Sequence, residues 1–324
     1  MKKHKILLTG ATGYIGSKLL PELAAAGHEI KCIVRDPSRL NVSAPNITAF
    51  KGDLLERASL WRAFCGVDTA YFLVHFLHET RGFEEKEIQA AENFAHMARS
   101  AGVKRIIYLG ALGNSEDNLS PHLRSRQDVG YILRHSGIPT LELRASIVLG
   151  NGSLSFELIR DLTEHLPLMI MPRWVSTKAQ PIGIDDLLAY LFQSLEIPIW
   201  HSEIIEIGGE DCLSYRDLMK EYAKLRGLHR LMLPVPVLTP WLSSHWVAFF
   251  SSVNYTLARR LLAGVKNPTV IENNRPRHRF RVKPQRAAEA MRRALEESPS
   301  AQKETNVSVL ETFDEPMPRN ARAS

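Results

Sequence analysis

A doubly wound α/β sheet of the Rossmann type, with a smaller C-terminal substrate-side subdomain, is the fold this sequence predicts. An apolar strand runs into three spaced glycines in Ile6-Leu7-Leu8-Thr9-Gly10-Ala11-Thr12-Gly13-Tyr14-Ile15-Gly16. Short apolar strands then alternate with helix-period segments through the first half of the chain. At 324 residues and 44% hydrophobic content, the chain is long enough to bury a large core.

Each element has a local reason. Gly10 allows a sharp strand-to-helix turn, Gly13 removes the side chain that would keep a phosphate away, and Gly16 is expected to let the helix pack on the sheet. The free N–H groups of the helix start favour an anion. Leu19, Leu20 and Leu23 recur at helical spacing within Ser17 to Ala26, Gly27 stops that helix, and Glu29 to Val34 reads as a second strand. Ile47 to Leu54 reads as a third strand ending in an acidic turn, followed by a helix over Ala58 to Phe64. Thr69 to Val74 is a buried strand with His75 at its end, and Phe83 to Ser100 a helix. The strand Arg105 to Gly110, a helix from about Leu123 to His135 and a strand from Thr140 to Leu149 complete a parallel sheet covered on both faces. The dinucleotide-binding core is placed at residues 1–150.

Residues 151–297 are read as a substrate-side subdomain interleaved with that core, and 298–324 as a disordered tail rich in Ser, Pro, Asn and charge. Ser155 to His165 is a helix with Phe156, Ile159 and Leu162 on one face, and Pro167 to Trp174 an apolar loop suited to wall a pocket. Asp185 and Asp186 open a helix through Leu195, where paired carboxylates read as N-cap and dipole-compensating groups more simply than as an acid/base pair. A strand at Ile204 to Gly209 and helices over Ser214 to Arg226 and Ala287 to Glu297 follow. Residues 231–253 hold no Asp, Glu, Lys or Arg, yet Pro234, Pro236 and Pro240 argue against a spanning helix. That segment is open to three readings: a cover over an apolar substrate pocket, an oligomer interface, or a membrane-surface contact.

Charge and cysteine usage bound the partners. Arg275, Arg277, Arg279, Arg281, Lys283 and Arg286 contribute much of a net charge of +6. With no helix-turn-helix, zinc or aromatic-stacking pattern beside them, a solvated strand edge around Phe280 and Val282 is expected, and no nucleic-acid partner. Cys32, Cys65 and Cys212 are too scattered for a metal or disulfide framework, which fits a reducing cytoplasm. Past the second strand, Arg35 and Arg39 favour a 2′-phosphate and hence NADP(H) over NAD(H), although Asp36 beside them is the residue type that reads a free ribose. Asp53 is placed either to accept from the adenine amino group or to cap the next helix.

Thr9 to Gly16, Val34-Arg35-Asp36-Pro37, Gly52-Asp53-Leu54 and Pro181 to Leu187 together resemble the short-chain dehydrogenase/reductase superfamily, in its atypical NAD(P)H-binding branch close to the extended epimerase/dehydratase type, over residues 4 to 295. The resemblance implies a cofactor site built from Gly10, Thr12, Gly13, Tyr14, Ile15, Gly16, Arg35, Arg39, Asp53, Leu54 and Arg126, with Leu73, Val74 and His75 beside the inner ribose. His75 reads equally well as a packed strand-end histidine. Where active members carry Tyr-x-x-x-Lys, this chain has His122-Leu123-Arg124-Ser125-Arg126, and Gly110-Ala111-Leu112 stands where they carry a serine. Arginine is no acid–base group, and its charge would push a neighbouring histidine toward the neutral form. His122 and Arg126 are thus either a non-standard catalytic pair or exposed residues of a basic helix. The expectation is an oxidoreductase or epimerase-like enzyme acting on an apolar small molecule. Its alternative is a non-catalytic NAD(P)H-binding redox sensor or assembly subunit.

Overall fold

The apolar runs of the first half become strands β1 (Lys5–Thr9), β2 (Glu29–Val34), β3 (Ile47–Lys51), β4 (Thr69–Phe72), β5 (Arg105–Ala111) and β6 (Thr140–Ala145). They appear so in a computed structural model that describes residues 2–76, 82–114, 116–235, 260, 262–273 and 278–297. Between them lie helices α1 (Tyr14–Ala25), α2 (Trp61–Phe64), α3 (Phe83–Ser100) and α4 (Pro121–Arg134). The second half adds β7 (Val148–Leu149), α5 (Leu154–His165), β8 (Leu168–Met171), β9 (Lys178–Ala179), β10 (Ile182–Gly183), α6 (Ile184–Gln193) and β11 (Glu203–Ile207). After these come β12 (Leu213–Ser214), α7 (Tyr215–Leu225), β13 (Leu231–Pro234) and α8 (Ala287–Glu296).

Seven of the strands form one parallel sheet in the order β11-β6-β5-β4-β1-β2-β3. The chain moves outward from β1 to β3, then crosses to the other side of β1 and builds β4, β5 and β6. A ligand crevice opens at such a reversal, outside the carboxyl ends of the strands. Strand alternation fills both faces: Ile6 and Leu8 join α1 and α6 in one core, while Leu7 joins α3 and α4 in the other. A third apolar cluster unites α5, β8, α7 and α8.

Four local expectations are corrected. Helix α1 starts three residues early, since extended Gly13 (φ −82°, ψ 169°) is already its N-cap. The strand expected over Thr140 to Leu149 breaks at Ser146, whose hydroxyl meets that of Thr269 at 2.6 Å, and β7 leaves the main sheet to pair with β10. The expected apolar loop contains strand β8, paired in parallel with β13; Met169 and Met171 point inward while Leu168 and Ile170 remain exposed. The final strand at Phe280 and Val282 does not form. Side chains of α6 satisfy that stretch instead: Gln193 Oε1 accepts the Arg281 N–H at 2.8 Å, Asp186 Oδ2 accepts the Gln285 N–H at 2.8 Å, and Phe280 packs edge-on against Tyr190.

Asp185 and Asp186 do lie in the first turn of α6, but neither caps it, for Gly183 is the N-cap. Asp185 instead pairs with Arg293 at 3.1 Å, so both acids fasten α6 to the segment carrying α8. Of the basic run, Arg279 pairs with Glu203 and Arg286 with Glu210 at the surface, while Arg275 and Arg277 lie outside the described residues. The tail and most of the 231–253 segment also fall outside them. Among the described residues, no helix is long and apolar enough to cross a membrane.

Candidate dinucleotide and active site

At the reversal between β1 and β4, the glycine loop turns under three separate constraints. Gly10 has φ +74°, and a Cβ there would stand 2.8 Å from the Leu73 carbonyl oxygen, so the turn and the close approach of β4 both need glycine. A Cβ on Gly16 would overlap the Gly10 carbonyl: this glycine packs the helix on its own turn, not on the sheet as expected. At Gly13 an added Cβ meets only the Gly10 oxygen, at 3.2 Å, and otherwise enters open space. That space is a cavity of about 970 Å³ lined by Gly10, Thr12, Gly13, Tyr14, Ile15 and Gly16. The open cradle at Gly13, beside the first N–H groups of α1, fits the pyrophosphate of a dinucleotide. The Tyr14 hydroxyl is buried without a partner in the same cavity wall.

Toward β2 and β3 the cavity is lined by Arg35, Arg39, Asp53 and Leu54. Asp36, the acidic rival at this turn, is occupied: its Oδ1 accepts the Ser38 N–H at 3.0 Å and the Ser38 hydroxyl at 2.7 Å, capping the turn Pro37–Arg39. These bonds, with Arg39 and Lys51 nearby, hold its carboxyl below the usual range. Asp53 lines the cavity, but it does not cap the next helix: its Oδ1 accepts the Leu55 N–H at 3.0 Å, and Glu56 and Leu60 are the N-caps that follow. Lys51, at the end of β3, was not marked by any motif.

Toward β4 and β5 the lining comprises Leu73, Val74, His75, Gly110, Ala111, Leu112, His122 and Arg126. The helix α4 that brings the last two is started by Ser120, which accepts the Leu123 N–H, and by Pro121 at its first position. His122 and Arg126 therefore face the cavity, not solvent. Arg126 is 8% exposed; its guanidinium lies over the Tyr108 ring and donates to the Val74 carbonyl at 3.4 Å and to the Leu109 carbonyl. His122 Nδ1 is buried without a hydrogen-bond partner. Burial first, then the charges of Arg126 and Arg260, push the imidazole down to about 4, so it is neutral at pH 7.

The opposite wall comes from the second half of the chain, through Leu158 and Leu162 of α5, Tyr215 and Met219 of α7, and Leu262. These residues carry no sequence signal beyond helix periodicity, because an apolar residue facing a cavity has the same spacing as one facing a core. Among the described residues no group of His, Cys, Asp and Glu is arranged to hold a metal. The three cysteines are free.

A reversal-point crevice and a glycine turn open at Gly13, on a doubly wound parallel sheet, define a protein of the Rossmann-type dinucleotide-binding fold. Residues 2–230 match the NmrA-like family, and the chain belongs to that family. It is similar to the (4-alkanoyl-5-oxo-2,5-dihydrofuran-3-yl)methyl phosphate reductase of Streptomyces griseus, at 29% identity over 54% of this chain. The match spans 61% of that enzyme, less than two thirds of its length. Similarity to an NAD(P)H azoreductase of Xenophilus azovorans is 24% identity over 64% of this chain and 69% of that one. Among solved structures, a Citrobacter sp. triphenylmethane reductase complexed with NADP(H) superposes with TM-score 0.72 over 90% of this chain and 99% of that one, at 20% identity.

Proposed function

We propose that this chain is an NADP(H)-dependent reductase of a small apolar molecule, working in a reducing cytoplasm. The observation that carries the reading is the continuity of one cavity, from Arg35 and Arg39 past the Gly13 cradle and His122 to the apolar wall of α5 and α7. The glycine loop would hold the pyrophosphate, and the cations at the end of β2 the 2′-phosphate, since the Asp36 carboxylate is taken up by Ser38. The dinucleotide, when bound, supplies a hydride. Arg126 keeps the ends of β4 and β5 together through Val74 and Leu109, and Leu158, Leu162 and Met219 exclude water from the substrate side. His122, neutral at pH 7, is able to accept a proton but is no cationic acid. The names of the azoreductase and the Citrobacter reductase support the same cofactor class.

That neutrality, with no Tyr-x-x-x-Lys pair, favours a second reading in which the chain binds NADPH as a sensor or assembly subunit without turning it over. Calorimetric titration with NADPH and NADH, then NADPH oxidation in the presence of apolar electron acceptors, tests both. Tighter NADPH binding is expected, and Arg35→Ala should weaken NADPH about tenfold while sparing NADH, as loss of one charge-assisted phosphate contact would. Equal losses for the two would overturn the phosphate assignment. Binding without turnover of any acceptor would select the sensor.

A further inference from the structure

A buried carboxylate ties together the two segments that face the cleft beyond the glycine loop. Glu87 on α3 is 2% exposed. Its Oε1 accepts the Phe76 N–H at 2.9 Å, and its Oε2 accepts the Ser125 hydroxyl. Phe76 ends the segment 73–76 that leaves β4 and lines the cavity. Ser125, itself 2% exposed, stands on α4 between His122 and Arg126, which line it from the other side. Both oxygens of this buried carboxyl group are met by hydrogen bonds from two other elements, so the bridge holds α3, α4 and segment 73–76 at a fixed separation.

The sheet order decides which half of a dinucleotide is concerned. With pyrophosphate on the loop after β1 and adenosine toward Arg35 and Arg39 after β2, the remaining half must lie over β4 and β5. We propose that Glu87 is a positioning residue which, through Phe76 N–H and the Ser125 hydroxyl, shapes the nicotinamide half of the cleft. The inference rests on the NADP(H) reading above.

Calorimetry on the full chain with NADPH and with 2′,5′-ADP, which offers the phosphorylated adenosine half alone, separates the halves. Glu87→Ala and Ser125→Ala should each weaken NADPH about tenfold, as loss of a buried hydrogen bond that fixes the site would, and leave 2′,5′-ADP unchanged. Glu87→Gln should restore NADPH binding, because its amide oxygen can accept from Phe76 and its NH₂ donate to Ser125. Ser125→Ala strands no backbone N–H and keeps the test available should Glu87→Ala fail to fold. Equal weakening of both ligands, no change in either, or a Glu87→Gln as poor as Glu87→Ala would each overturn the positioning role. Wild-type protein that binds neither ligand would instead remove the NADP(H) reading and this inference with it.

Discussion

At position 122 the surroundings of the imidazole decide what it can do with a proton. A tyrosine beside a lysine is made a better acid; a half-buried histidine beside Arg126 and Arg260 is made a poorer base and held neutral. The same shift affects stability. The folded pKa of about 4 lies below the ordinary 6.5, so between these values the unfolded chain binds more protons than the folded one. Stability from this group is thus complete above pH 6.5 and is lost as pH falls through about 4. A shift of this size corresponds to on the order of 3 kcal/mol. Urea unfolding of wild type and His122→Gln at pH 7, 5.5 and 4 should show an acid-side loss that the variant lacks to about that extent. Parallel pH profiles would mean that His122 is solvated. Gly13 is constrained in a different way: under the proposed function, Val there should put a branched side chain into the cradle proposed for the pyrophosphate and abolish NADPH binding in a calorimetric titration, beyond the small strain of a Cβ 3.2 Å from the Gly10 oxygen.

Between elements, α4 lies tight against β6. Gly130 faces the fully buried Glu142, which is held by Arg134 and by Arg144 Nε at 2.7 Å. A Cβ at 130 would come within 2.5 Å of a Glu142 oxygen that has no freedom to withdraw. Alanine gains about 1 kcal/mol over glycine in a helix interior, whereas overpacking costs about 1–3 kcal/mol or more, so Gly130→Ala should be destabilising, by about 1–2 kcal/mol in urea unfolding. A more stable variant would show that α4 sits farther from the sheet. Neither partner in this contact was legible beforehand, because Glu142 within Thr140 to Ala145 looks like the polar member of an alternating strand. Glu87 on α3 was equally hidden, as a charged residue in a helix of low mean hydropathy. What was legible is whatever rests on local backbone chemistry or periodicity: the glycine turn, the parallel strands, and helices to within a few residues at their ends. The failures have a common origin in long-range side-chain partners, Thr269 breaking a strand at Ser146 and Gln193 with Asp186 replacing a ladder at 281–285. The lining of the cavity toward α7 was invisible for the same reason.

Across the whole molecule, the boundary drawn at residue 150 divides the sequence more cleanly than it divides the core. Strand β11, from the second half, forms the edge of the main sheet beside β6. Helix α6 and the turn after it cover one sheet face together with α1, burying Leu187, Leu188, Tyr190, Leu191 and Leu195 among Ile6, Leu8 and Tyr71. Carbonyls of α6 and of the turn after it also receive side chains from the first half: Tyr71 donates to Leu191 at 2.9 Å, and Arg105 donates to Ser194 at 2.9 Å and to Leu195 at 2.6 Å. At about 1.5–3 kcal/mol for each buried apolar side chain, those five residues amount to roughly 10 kcal/mol, which is the size of a whole domain's stability. A fragment of residues 1–150 keeps the glycine loop and six strands but loses that cover, and leaves β6 as an unpaired edge. It should therefore bind ANS, lack a near-UV circular dichroism signal and unfold without a cooperative transition. A fragment with a sharp transition and native-like near-UV spectrum would instead make the nucleotide-binding half an autonomous domain. If the cooperative unit takes in both halves of the chain, a cofactor held as proposed at Arg35 and Gly13 should also steady the apolar wall of α5 and α7, coupling cofactor binding to that wall without a hinge between them.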